Sequence, residues 1–295
     1  MHIPSSMLHG SICPVTAAFA TTGLGLSALI ASKLDNKPSA AQFAAVTAMI
    51  FALQMLNFPV ASGTSGHFLG GVLAVLLLGV PFAVLSVSLV LAVQAIFFGD
   101  GAINALGANI INMAFMATAA AGIFLKWLED RGIQKSAAIA FASFAGVVLA
   151  AVACSWELAV CGSVAFHKVL TAMVSVHAII GIGEGLITLA VIFLLRRLIE
   201  NGRKKQNAVA IASFSVAVGA AILSPLACRF PDGVESVAKK FLPLKFPEVF
   251  SPAFFQDYQA AFMGHGCFSM IFSALAGVVI ISTIIFAGQR FFKTS

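Results

Sequence analysis

Apolar residues along this chain occur in long runs separated by short polar breaks, a pattern typical of proteins that cross a membrane several times. Nine runs are candidate spans, near 15–32, 40–56, 67–79, 82–98, 106–127, 137–154, 170–195, 208–227 and 268–289. The third run is short and is separated from the fourth only by Gly79 and Pro81, so it is expected to be tilted or partly re-entrant. The pattern predicts an all-α polytopic membrane protein with about nine transmembrane helices.

The composition supports the same class. Hydrophobic residues make up 60% of the 295 positions and charged residues only 9%, whereas a soluble domain carries roughly 25% charged residues. The first basic residue, Lys33, follows the first apolar run, so the start of the chain lacks the positive region of a signal peptide. A multi-pass membrane protein with an unprocessed start is therefore expected.

Basic residues predict the orientation of the spans. If the N-terminus lies outside, 12 of the 17 Lys and Arg residues fall on the cytoplasmic side, as the positive-inside rule requires. These are Lys33, Lys37, Lys126, Arg131, Lys135, Arg196, Arg197, Arg203, Lys204, Lys205, Arg290 and Lys293. Four of the other five lie in one long loop, where the rule weakens. An external N-terminus and a cytoplasmic C-terminus are therefore expected, which an odd number of spans also requires.

A charged linker at 196–205 divides the chain into two expected units. Residues 1–206 contain the first seven spans. Residues 207–295 contain two spans that flank an external loop at 228–266, which is rich in proline and is either mobile or ordered by contact with something else.

The first two residues carry the main candidate chemistry. A free amine at Met1 followed by His2 can chelate one metal ion through the amine nitrogen, the deprotonated amide nitrogen of His2 and its imidazole. Another imidazole would complete a square plane of nitrogen atoms, which suits Ni(II) or Cu(II). His67 lies among glycines at the external start of the third run, where the backbone can bend sharply, and is the expected fourth ligand.

Polar residues near these ligands are candidates for a supporting role. They are Asn57, Thr64, Ser65, Asn109 and Asn112. Asn109 and Asn112 are three residues apart and would share a helix face, from which they could orient a ligand imidazole. Hydrogen bonding between helices is the alternative.

Two further features suggest either function or packing. His177 and Glu184 are ionisable residues within the seventh span, seven positions apart, and either form a buried network between helices or take part in ion movement. In the second span, small residues recur every fourth position at Ala40, Ala44, Ala48 and Ala52. That flat face either packs within the bundle or docks another membrane subunit.

The remaining histidines and cysteines leave questions open. His9 and His265 are expected at the external surface, without an assigned role. The five cysteines contain no C-x-x-C pair and are expected to be packing residues, although Cys228 and Cys267 could pair across the long loop.

The stretches 54–71, 100–113 and 177–188, together with the Met-His start, resemble the CbiM/NikM substrate-binding component of energy-coupling factor nickel and cobalt transporters. The segment 231–235, Pro-Asp-Gly-Val-Glu, lies in a part that is similar to the small CbiN/NikN component. The resemblance implies a fusion of the two in the plasma (inner) membrane of a prokaryote, with the ion held by Met1, His2 and His67. Ser5, Ser6 and Met7 depart from the acidic and aromatic residues that the family often has there.

The resemblance also implies partners, a CbiQ/NikQ-like transmembrane coupling protein and CbiO/NikO-like cytosolic ATPases, with the alanine face of the second span as a docking surface. The chain itself has no G-x-x-x-x-G-K-[ST] loop, so ATP hydrolysis would occur on another polypeptide. The predicted function is therefore capture of Ni(II) or Co(II) for an ATP-driven importer, with no enzymatic activity, no organic cofactor and no nucleic acid. The alternative is a proton-coupled secondary metal transporter that uses His177 and Glu184.

Overall fold

The computed structural model of the protein describes residues 1–4, 7–60, 63–161, 165–199, 205–241 and 253–293, which are mostly helical. The α-helices are α1 (Ile12–Ser32), α2 (Ala40–Gln54), α3 (Gly71–Leu78), α4 (Val80–Val93), α5 (Leu106–Asn109), α6 (Ala121–Asp130), α7 (Lys135–Val160), α8 (Phe166–Ile199), α9 (Lys205–Leu223), α10 (Gly233–Phe241) and α11 (Cys267–Lys293). Strands β1 (Phe58–Pro59) and β2 (Ser65–Gly66) pair antiparallel. Helix α4 continues as a π-helix at Gln94–Phe98, and a second π-helix at Ile110–Ala120 joins α5 to α6.

Local sequence signals explain several helix boundaries. Ser39 caps α2, since its side chain accepts a hydrogen bond from the backbone nitrogen of Gln42 at 3.2 Å. Pro81 lies in the first turn of α4, where a proline costs no backbone hydrogen bond. Gly99 ends the π-helical continuation of α4 with φ of 68°, a conformation that favours glycine.

Seven helical segments among the described residues are long and apolar enough to cross a membrane. They are Ile12–Ser32, Val80–Phe98, Leu106–Asp130, Lys135–Val160, Phe166–Ile199, Gln206–Leu226 and Cys267–Arg290. Each corresponds to a predicted span, so the prediction of a helical multi-pass membrane protein is confirmed. At 1.5 Å per residue, α2 is about 22 Å long and α3 about 12 Å, less than the roughly 30 Å of a hydrocarbon core. The total of nine spans and the orientation of the termini stay predictions.

The third predicted span, at 67–79, is only partly helical. Residues 67–70 are not helical, and helix α3 begins after Gly70, which has φ of 77°. The Glu184 carboxylate of α8 accepts hydrogen bonds from the backbone nitrogens of Leu69 at 2.7 Å and Gly70 at 2.8 Å. Non-helical backbone at membrane depth needs such partners within the protein. This broken segment ends at Gly79, where φ is 79°.

The end of the bundle that contains the start of α2 gathers residues predicted to be cytoplasmic. Lys37, Lys135 and Arg196 line one cavity there. The same end is closed by hydrogen bonds from the Gln42 side chain to the Leu77 carbonyl at 2.9 Å and from the Gln206 side chain to the Lys37 carbonyl at 3.3 Å. The N-terminal residues lie at the other end of α8, close to His177.

The alanine face of α2 is enclosed by the chain itself. Ala44, Ala48 and Ala52 are at most 2% exposed, and Ala40 is half-buried. Helix α2 packs against α9, α11, α4 and α3, so its surface is shared among neighbours in the same chain. The structure accordingly favours packing within the bundle over the predicted docking of a second subunit on this face.

Helices on the C-terminal side of the predicted linker pack against the helices that precede it. Helices α9 and α11 contact α2, and α10 contacts α8. The predicted linker at 196–205 and the loop at 228–266 lie partly outside the described residues. All five cysteines are free, so the Cys228–Cys267 disulfide that the sequence left open is not formed.

Candidate metal centre

The N-terminal segment is buried in the bundle. Met1, His2 and Ile3 are 2%, 7% and 0% exposed. The Asn109 side chain holds Ile3 at both backbone groups, accepting from its nitrogen at 2.8 Å and donating to its carbonyl at 3.3 Å. This pairing satisfies backbone groups that have lost water and fixes the direction in which Met1 and His2 point.

The amine of Met1 contacts the Nε2 atom of His67. The other ring nitrogen of His67, Nδ1, donates to the Phe68 carbonyl at 3.2 Å, which leaves the lone pair on Nε2. Metal-binding histidines are usually held in this way, with the second ring nitrogen bonded to a carbonyl or a carboxylate. Two nitrogen atoms of the predicted ligand set therefore already converge on one point.

Both ring nitrogens of His2 have polar partners. Nε2 lies 3.0 Å from the Gln94 side-chain oxygen, and Nδ1 lies 3.2 Å from an oxygen of Asp100. These two contacts fix the orientation of the imidazole beside the Met1 amine. Burial lowers the pKa of His2, against the opposing charge of Asp100, so the ring is neutral at neutral pH. The rings of His2 and His67 stack at 5.1 Å between centroids.

A polar cavity of about 350 Å³ opens beside these nitrogens. Four carboxylates line it, from Asp100, Asp232, Glu235 and Asp257, and among the described residues one Lys or Arg side chain, that of Arg229, lines it as well. Burial raises the pKa of Asp232, but the Met1 ammonium 3.2 Å away, the backbone nitrogen of Glu235 and His177 together outweigh burial, so the pKa is lowered. The chain carries a formal net charge of +6, yet this cavity has the negative lining that attracts cations.

The described residues contain no group of three His, Cys, Asp or Glu side chains arranged for a metal ion, at this centre or in other parts of the fold. The candidate centre differs from such sites because two of its predicted ligands are a terminal amine and a backbone amide. Its donors are nitrogen atoms, in agreement with the preference of Ni(II) and Cu(II) for square-planar nitrogen sites.

Most of the predicted supporting residues hold chain segments in place. Thr64 bonds the Ser236 hydroxyl at 3.1 Å, and Ser65 donates to the Phe230 carbonyl at 2.8 Å. Asn57 lines the cavity, and its carbonyl accepts from the backbone nitrogen of Cys228 at 2.8 Å. These three residues therefore join the loop before α3 to the C-terminal unit.

Asn109 and Asn112 take different partners although they were expected to share a face. Asn109 holds Ile3, as described above, and Asn112 donates to a buried oxygen of Glu157 at 2.7 Å. A π-helix begins between them, and its wider turn changes the direction of successive side chains. Neither asparagine uses these hydrogen bonds to hold the imidazole of His2 or His67.

His177 and Glu184 lie on the same side of α8 but serve separate contacts. Glu184 accepts the two backbone hydrogen bonds of the segment that follows His67. His177 donates from Nδ1 to the Met173 carbonyl at 2.7 Å, and its ring lies against Gly233. In the described part of the chain no hydrogen bond joins the pair, and Glu184 has the structural role that the sequence left as one alternative.

Residues that were not predicted complete the surroundings of the ligands. Gln94 bonds His2, Asp232 bonds Met1, and the Tyr258 hydroxyl donates to Asp100. Gln94 could have been suspected as a buried polar residue inside an apolar span. His9 is exposed and offers only its carbonyl, to Cys161 at 3.6 Å, and His265 contacts Gln259 at the surface.

Residues 2–200 match the family model described as the cobalt uptake substrate-specific transmembrane region, CbiM. The chain belongs to the CbiM family. The resemblance inferred from the sequence is thereby confirmed, and members of this family are transport proteins of prokaryotic membranes and not enzymes. His2 and His67 lie within the matched region, whereas Asp232 and Tyr258 lie beyond it.

Several relatives of this CbiM-family chain carry names of metal transporters. A relative in Archaeoglobus fulgidus is 37% identical over 197 residues, which are 65% of this chain and 64% of the relative. The fused nickel transport protein NikMN of Rhodobacter capsulatus is 36% identical, over 54% of this chain and 47% of its own length. The cobalt transport protein CbiM of Geobacter sulfurreducens is 30% identical, over 62% and 54% of the two chains. The matched part thus spans less than two thirds of each of these relatives.

Solved structures of the same kind share the fold. A crystal structure of a truncated transition metal transporter superposes with a TM-score of 0.60 at 31% identity, covering 67% of this chain and 99% of the other. A second transition metal transporter gives a TM-score of 0.61 at 30% identity, covering 68% and 95%. The helical arrangement of the CbiM-like part is therefore one that transition metal transporters use.

Proposed function

We propose that this chain is the substrate-capture component of an ATP-driven energy-coupling factor importer for Ni(II) or Co(II). The ion is bound by the amine of Met1, the amide and Nδ1 of His2, and Nε2 of His67. The contact between the Met1 amine and the lone pair of His67, beside the stacked ring of His2, is the observation that carries the proposal. It requires Met1 to be the natural terminus, which mass spectrometry of the mature protein tests.

The charge of the buried site is the same with and without the ion. The empty site has one ammonium at Met1 and carboxylates at Asp100 and Asp232. In the loaded site the divalent ion adds two positive charges, while the amine becomes neutral and the amide of His2 becomes negative. A divalent ion thus replaces two protons without a change in net charge, which avoids the cost of adding charge to a buried place.

Loading is therefore expected to release about two protons per Ni(II) ion. The lowered pKa of His2 means that its imidazole is already neutral near pH 7 and adds no third proton until the pH falls further. Each unit of decrease in pH should raise the apparent Kd about 100-fold wherever two protons compete with one ion. Calorimetric titrations in buffers of different ionisation enthalpy measure the number directly.

The same titration can also contradict the proposed ligands. Release of fewer than one proton per ion, or a Kd that is constant from about pH 7 to about pH 6, would contradict ligation by the amine and the amide. Titration with Co(II) in the same buffers compares the two candidate ions.

The partners belong to this proposal: a CbiQ/NikQ-like coupling protein in the bilayer and CbiO/NikO-like ATPases in the cytosol. The absence of a phosphate-binding loop from the sequence supports a separate ATPase. The C-terminal unit is proposed to be NikN-like, and the names of fused relatives support it.

Transport tests the ATP-driven class. Liposomes that contain only this chain are expected to show no uptake of nickel under an imposed pH gradient, because Glu184 is occupied by backbone nitrogens and is not free to relay protons. Uptake should require the coupling protein, the ATPases and ATP. Gradient-driven uptake by the chain alone, lost in His177→Ala, would instead establish the proton-coupled alternative.

A further inference from the structure

Asp232, in the C-terminal part of the chain, places its carboxylate beside the amine nitrogen of Met1. Its Oδ2 lies 3.2 Å from the Met1 amine, and the two residues are 15% and 2% exposed. Ionic contacts with so little water are stronger than those at a surface, and this one involves a proposed ligand atom. Any loading of the site must therefore accommodate Asp232.

The carboxylate of Asp232 is held by the start of α10. Its Oδ1 accepts from the backbone nitrogen of Glu235 at 2.8 Å, and the backbone nitrogen of Asp232 donates to Glu235 Oε2 at 3.1 Å. This reciprocal pair is the capping box of a helix N-terminus. One oxygen of Asp232 thus fixes the side chain, and the other remains for the amine.

The segment that contains Asp232 is hydrogen-bonded to the loop that contains His67. The Pro231 carbonyl accepts from the backbone nitrogen of Ser65 at 2.8 Å. Gly233 lies so close to His177 that a Cβ there would be 2.7 Å from a ring carbon. The first contact fixes Asp232 relative to the loop that carries His67, and the second fixes it relative to α8.

We propose that Asp232 is a positioning residue of the metal site, which turns the lone pair of the Met1 amine towards the ion. The inference rests on the proposed function. A carboxylate only accepts hydrogen bonds, so a neutral amine keeps one N–H on Asp232. Its lone pair is then free to face the side of His67 Nε2, where the ion binds. Carboxylates behind histidine ligands act in the same manner, and their loss typically costs 10- to 100-fold in metal affinity.

The test compares two variants that each remove one negative charge from the cavity. Asp232→Asn keeps a side-chain oxygen for the Glu235 cap but places an amide donor beside the amine. Asp257→Asn removes the charge of an exposed carboxylate that lines the same cavity. Nickel Kd values are measured for both in the purified full chain, together with the visible absorption of the nickel-loaded protein.

Asp232→Asn is expected to raise the nickel Kd about 10- to 100-fold and to change the absorption spectrum at saturation, because the amine is no longer aligned. Asp257→Asn should change the Kd less than about threefold and leave the spectrum as in the wild type. Equal effects of the two variants would overturn the role of Asp232, since the carboxylate would then only attract cations.

A two-residue extension before Met1, alone and combined with Asp232→Asn, separates the two proposals. If the extension abolishes binding but Asp232→Asn behaves like Asp257→Asn, the role of Asp232 fails and the proposed function stands. If the extension leaves binding unchanged, the proposed ligand set fails and the role of Asp232 fails with it. Two further results would support the positioning role of Asp232. The Asp232→Glu variant should have the affinity and spectrum of the wild type, and the Asp232→Asn variant should have an unchanged thermal midpoint.

Discussion

A variant with two alanines added before Met1 is expected to lose nickel binding. The extension turns the amine of Met1 into a peptide nitrogen and places the new amine outside the contacts with Asp232 and His67. It also removes the five-membered ring that the amine and the His2 amide form around the ion. Without that ring the amide of His2 no longer loses its proton to the ion, so two of the four proposed ligands are lost, although every side chain remains.

The expected loss is large. Four-ligand metal sites in small proteins bind with roughly 10–16 kcal/mol, or about 3 kcal/mol per ligand, and about 1.4 kcal/mol changes a Kd tenfold. Losing two ligands should therefore raise the Kd about 10,000-fold or more. Two alanines are used because one would put His2 third, where an amine, two amides and an imidazole can chelate an ion by themselves.

The control carries the two alanines after Ser295 and should bind nickel as the wild type does. Thermal unfolding of both proteins shows whether the fold is kept. Nickel binding by the N-terminally extended protein within tenfold of the control would exclude the amine as a ligand.

The candidate ligands can be proposed from the sequence alone, because their chemistry is local. An amine followed by His2 is a chelator wherever it lies, and glycines beside His67 allow a sharp approach. The long apolar runs likewise predict helices without knowledge of their neighbours. The conformation of the run at 67–79 was harder to predict, since its non-helical part is held by Glu184, which is more than 100 residues away.

The surroundings of the ligands could not be derived in this way. Gln94, Asp100, Asp232 and Tyr258 reach the site from three different parts of the chain, and no spacing in the sequence relates them. For the alanine face of α2, the sequence predicts the type of contact but not the partner. Its spacing correctly indicates close packing, but it does not say whether the neighbour is α9 or another protein.

Replacement of His67 by alanine is expected to raise the nickel Kd about 100- to 1000-fold, the effect of losing one ligand of four. The chelate at Met1 and His2 remains, so weak binding should persist with a water molecule in the fourth position. The loss also leaves the amine without its nitrogen partner, but Asp232 still holds it at 3.2 Å. Isothermal titration of the purified chain measures the change.

His9→Ala is the matched control for His67→Ala. It removes an imidazole that lies seven positions after His2 but is exposed, and the one hydrogen bond described for this residue uses its carbonyl. Its nickel Kd should stay within about twofold, since surface substitutions rarely exceed 0.5 kcal/mol. A loss in His9→Ala as large as in His67→Ala would mean that the fourth ligand is the other imidazole. Imidazole added to the His67→Ala protein should restore part of the affinity, because it can occupy the vacant fourth position, and no such rescue is expected if His67 only packs against the terminus.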